Sequence, residues 1–67
     1  MDWKIISNVD VGRERIVDGE WRVEENEKEI MIIVKSNGKV RSIPVTSATA
    51  PDSYESIAEM AIIEING

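Results

Sequence analysis

Asn8, Asp10, Gly12 and Glu14 alternate along one polar stretch and carry the oxygen atoms that a hard cation such as calcium takes as ligands. An EF-hand loop needs its glycine at the sixth position and a distant bidentate glutamate, and neither is present. The stretch therefore reads as a polar loop that turns on Gly12. Carboxylates are numerous enough for a general acid–base pair, but thirteen of them on so small a surface must include chance neighbours. They read as a solvated acidic face. The chain has no histidine and no cysteine, which removes the common Ser-His and Cys-His nucleophiles and the usual zinc ligands. Its four glycines are scattered, and none opens a helix after a strand as a phosphate loop requires. No catalytic, cofactor-binding or metal-binding residue is assigned, and the expected protein is not an enzyme.

The basic residues form two groups. Lys35, Lys39 and Arg41 surround Asn37-Gly38 and resemble the charged hairpin tip of a sheet-based nucleic-acid binder. Such binders add aromatic rings on which bases stack, and the only aromatics here are Trp3, Trp21 and Tyr54. A net charge of −5 also repels phosphate backbones, so nucleic acid is a disfavoured partner. The second group, Arg13, Arg15 and Arg22, alternates with Glu14, Asp18 and Glu20. With a turn at Asp18-Gly19, Arg15 would face Arg22, a like-charge pair that invites a carboxylate from elsewhere. All six cations are candidate charged contacts.

Sixty-seven residues suffice for one small domain, 1–67, with no disulfide or zinc to reinforce it. Apolar residues make up 42% and charged residues 31%, the balance of a water-exposed fold. Ile30 to Val34 is the longest apolar run, far short of the ~20 residues that span a bilayer. Met1-Asp2-Trp3-Lys4 does not open a signal peptide, so the expected location is the cytoplasm, with no membrane partner.

The elements that must position these residues are short strands and one helix. Trp3-Lys4-Ile5-Ile6 is expected as a strand, followed by a loop from Asn8 to Arg15. Asp18-Gly19 and Asn37-Gly38 each have the composition of a two-residue hairpin turn, in which both central residues take positive φ. The first would pair Ile16 with Trp21. The second would pair Val34 with Arg41, Ile32 with Ile43 and Ile30 with Val45, and it would put Met31 and Ile33 across from Pro44 and Ser42. Pro44 has no amide hydrogen, which puts its strand at an edge.

Beyond Pro51, Tyr54, Ile57, Ala58, Ala61 and Ile65 recur at helical spacing. A helix from Asp52 to about Ile63 is expected, capped through Thr49 with Asp52 or Asp52 with Glu55, with a terminal strand over Ala61–Ile65 as the alternative. The resulting class is α+β: an antiparallel sheet of four or five strands with one C-terminal helix on one face. Ile57, Ala58 and Ala61 are expected to pack on Ile30, Ile32 and Ile43.

Met31, Ile33 and Pro44 on the second sheet face, with Ile62 and Ile63 beyond the helical stripe, form the candidate partner surface. The expected function is a noncatalytic protein–protein interaction module that forms a homodimer. Two alternatives stand beside it. One is an acidic inhibitor or nucleic-acid mimic working through Glu20, Glu24, Glu25, Glu27 and Glu29. The other is a nucleic-acid binder working through the Lys35/Lys39/Arg41 tip.

Overall fold

The computed structural model describes residues 2–67. Four strands, β1 (Lys4–Gly12), β2 (Arg15–Glu25), β3 (Ile30–Ser36) and β4 (Lys39–Val45), form one antiparallel sheet in sequence order. A 3-10 turn over Pro51–Ser53 leads into α1 (Tyr54–Asn66), which lies across one face of the sheet. The fold is the α+β class expected from sequence. Among the described residues, no helix is long and apolar enough to cross a membrane.

The β3–β4 hairpin has the predicted register: Val34 pairs with Arg41, Ile32 with Ile43, Ile30 with Val45 and Met31 with Pro44. Its turn has Asn37 at φ 52° and Gly38 at φ 75°, the left-handed pair that a type I′ turn demands. The first hairpin lies elsewhere than expected. Asp18 and Gly19 are interior to β2, and the chain reverses at Arg13 and Glu14, with φ 55° and 59°. Arg15 therefore faces Gly12, Arg22 faces Ile33, and Trp21 sits between Lys4 and Val34. The expected Asn8–Arg15 loop is mostly strand, carried past two irregularities in pairing, between Ile6 and Val9 and between Asp10 and Gly12. At the first, Asn8 takes φ 60° and donates its N–H to Asp18 Oδ1 at 3.1 Å.

Gly19 is needed for space. A Cβ there would stand 2.5 Å from Ile62 Cδ1 and 2.9 Å from Cγ1. The helix seats Ile62 directly on the bare backbone of β2, and the small Ala58 and Ala61 let the two layers approach. Ile62, expected on a partner surface, is thus fully buried: Ala58, Ala61, Ile62 and Ile65 form the helical stripe, and Ile62 falls in its middle. Around them the core gathers Ile6, Val9, Trp21, Ile32 and Val34, with Ile43, Tyr54 and Ile57 at its margin. Ile30, expected in this set, is only half-buried at the far end of β3.

The helix has no cap at Ser53 from a side chain, so neither expected capping box forms. The 3-10 turn closes instead through Ser53 N–H to the Ala50 carbonyl at 2.9 Å. At the other end the helix runs to Asn66, so Ala61–Ile65 is helical.

Candidate interaction surface

Strand alternation sorts every residue of the sheet onto the helix-covered face or an open one. On the open face, three rows cross the strands. The first is Ile5–Glu20–Lys35–Val40. In the second, Trp3 precedes β1 beside Arg22, Ile33 and Ser42, and the third is Glu24–Met31–Pro44. Ile5 is 73%, Ile16 65% and Val40 60% exposed, the most exposed aliphatic side chains in the sheet. The indole of Trp3 is bracketed by two cations, with Arg22 Cζ 5.1 Å and Lys35 Nζ 4.6 Å from the ring centre. Arg22 also pairs with Glu24.

The edges beside this face are poor places for another strand to add. β1 has two irregularities that break its outer ladder. On β4, a two-residue turn closes on a hydrogen-bonded pair, Ser36 with Lys39, so pairs alternate from there and Pro44 falls on a non-hydrogen-bonded one. Its missing N–H is one that would have pointed outward. The proline leaves the ladder to β3 intact and shortens the row of donors on the exposed edge.

The expected surface residues divide between the layers. Met31 and Ile33 are half-buried and Pro44 exposed on the open face, whereas Ile63 is exposed on the helix and Ile62 is core. Trp3, Ile5 and Val40 also lie on the open face and stand outside the expected surface residues, and Glu20, expected in the acidic set, joins them. The alternation Trp3/Ile5 against Lys4/Ile6 carried the signal for the first two. Sequence alone does not assign it to a face, because a turn expected at Asp18-Gly19 hides the strand that β1 pairs with.

The six expected charged contacts do not form one patch either. Lys35 lies on the open face, while Lys39 and Arg41 are on the covered face beside the end of the helix. There Lys39 Nζ donates to the Ile65 carbonyl at 3.4 Å, Arg15 Nη1 to the Asn66 carbonyl at 3.4 Å, and Arg41 Nη1 to Glu64 Oε1 at 2.8 Å. The last turn of α1 contains no basic residue of its own. Two strands, β2 and β4, supply the three cations that the negative end of the helix dipole favours. Arg13 occupies the first turn.

A polar network pins the same end of the helix. Buried Ser36 Oγ donates to the Asp18 carbonyl at 3.0 Å and accepts from Asn66 Nδ2 at 3.0 Å, and Asn37 Nδ2 donates to Asn66 Oδ1. Of the acidic set, Glu20 and Glu24 are on the open face. Glu25 ends β2, and Glu27 and Glu29 lie in the turn ordered by Asn26, whose Oδ1 accepts the N–H groups of Lys28 and Glu29 at 2.8 and 2.9 Å.

No family model matches the chain, and no curated protein and no solved structure is significantly similar to it.

Proposed function

We propose that this protein is a noncatalytic protein–protein interaction module that works through the open face of its sheet and takes a second copy of itself as its partner. The observation that carries the reading is the row Ile5–Glu20–Lys35–Val40, which sets two strongly exposed aliphatic side chains on either side of a charged centre. An uncovered face with apolar ends has surface left to bury, and a 67-residue domain has little core of its own. Both edges beside it resist strand addition, which favours the face as the site of contact. The absence of histidine and cysteine from the chain supports the noncatalytic part.

The test is molar mass by light scattering from about 1 µM to 1 mM. The wild type should pass from monomer to dimer, and the double variant Ile5→Asp, Val40→Asp should remain a monomer with its melting temperature nearly unchanged. A double variant that associates as strongly as the wild type would move the interface off this face.

A further inference from the structure

Resting on that reading, the geometry points to a symmetric dimer whose two-fold axis runs along the strands, between β2 and β3, with Glu20 of each copy facing Lys35 of the other. The argument is one of charge order. A closed dimer uses the same patch twice, so the patch must be complementary to itself under the two-fold rotation. For two sheets stacked face to face, the axis lies in the interface. An axis parallel to the strands reverses the order of the strands and leaves the level along them unchanged. The first row then meets its own reversal: Ile5 lies on Val40 of the second copy, Glu20 on Lys35, Lys35 on Glu20 and Val40 on Ile5. Apolar groups meet apolar groups at both ends, and opposite charges meet twice at the centre.

Two axes across the strands close to this row serve it less well. Centred on the Arg22 row, such an axis lays Arg22 on itself and Glu20 on Glu24. Moved half a row towards the Asn37-Gly38 turn, it pairs Arg22 with Glu20 but sets Glu24 against Asp18 and leaves Lys35 on Ile33. Each choice brings like charges together, which costs association energy. In the along-strand arrangement, Arg22 meets Ile33 of the second copy, and its guanidinium is already occupied by Glu24 and the Trp3 ring. The aligned stacking is that of an ordinary two-sheet sandwich, with layers about 10 Å apart.

Glu20 makes the inference specific. It is half-buried and directly opposite Lys35 in the sheet, yet among the described residues it forms no ion pair within its own chain, while Lys35 sits over Trp3. Its charge is left for the second copy. Charged groups at the centre of the contact select the arrangement more than they strengthen it, because their desolvation offsets their attraction. The dimer is therefore expected to dissociate on dilution.

Charge reversal tests this with two chains. Glu20→Lys places two lysines against two lysines across the axis, and Lys35→Glu places two glutamates against two, so each variant alone should dimerise at least about tenfold more weakly than the wild type. Mixed in equal amounts they should form a heterodimer, since each then presents what the other lacks. Sedimentation of the separate and mixed variants reads this directly, with circular dichroism to verify that both are folded. Recovery on mixing cannot arise from a cross-strand pair inside one chain. A wild-type dimer indifferent to both reversals, or no recovery on mixing, overturns the axis and leaves the open face standing as the interface. A wild type that stays monomeric at all concentrations overturns the self-association on which the axis rests.

Discussion

The two faces of the sheet are built from alternate residues of the same strands, and they have opposite chemistry. Under the helix lie Ile6, Val9, Trp21, Ile32 and Val34, closed over by Ala58, Ala61 and Ile62. On the open side the intervening residues are Trp3, Ile5, Glu20, Arg22, Met31, Ile33, Lys35 and Val40, in which charges and apolar groups are mixed. The covered face secures the fold chiefly by burial, with the Ser36–Asn66 network holding the helix end. The open face mixes charge with exposed aliphatic surface, so on the proposed reading one sheet divides stability and recognition between its sides.

The two tryptophans measure that division, one on each face. Trp21 is 5% exposed, flanked by Val34 on one side and Lys4 on the other, whose Nζ lies 4.9 Å from the ring centre. Its truncation, Trp21→Ala, should cost about 3–5 kcal/mol. A domain of this length holds only about 3–10 kcal/mol in total, so much of the population should unfold, measured by urea titration followed by circular dichroism. A loss below about 1 kcal/mol would show that the covered face does not dominate stability.

Next in size is the contact between β2 and the helix. Gly19→Ala should cost about 1–3 kcal/mol, because the added methyl meets Ile62 and the Lys35 carbonyl, 3.0 Å away. Ile62→Val removes the Cδ1 atom in closest conflict. Combined with Gly19→Ala, it should therefore do less harm than the two single losses added together. Strict additivity in this double-mutant cycle would place Ile62 away from Gly19.

That contact also explains which parts of the fold were legible in the sequence. The strand-rich body, the terminal helix, the Asn37-Gly38 turn and the full β3–β4 register follow from local signals: alternation, helical spacing and a dipeptide suited to positive φ. Asp18-Gly19 carries the same local signal as Asn37-Gly38, but its glycine answers a need 43 positions away at Ile62, which no local pattern encodes. The true first turn gives no warning, since Arg13 and Glu14 adopt left-handed φ without the usual Asn or Gly. An expected turn at Asp18-Gly19 leaves β1 without a partner strand. From sequence the open face is therefore legible in Met31, Ile33 and Pro44 and in the charges Glu20, Arg22 and Lys35, but not in Trp3, Ile5 and Val40. In the sequence Arg15, Lys39 and Arg41 have the look of partner contacts because the helix end they serve is close only in the folded chain.

The smallest effect on stability is expected from the other tryptophan. Trp3 is half-buried on the open face, and it stacks between Arg22 and Lys35 instead of filling the core. Exposed cation–π contacts are worth about 0.5–1 kcal/mol each, so Trp3→Ala should lower stability by about 1–2 kcal/mol, well below the Trp21→Ala loss. It also leaves Trp21 as the sole reporter of tryptophan fluorescence, and that emission should be blue-shifted and resistant to iodide. Self-association should weaken as well, because Trp3 holds Lys35 beside the proposed axis and adds apolar area next to Ile5. A Trp3→Ala loss as large as that of Trp21→Ala would mean that the open face carries the fold as much as the covered one does, and the division between the faces would collapse.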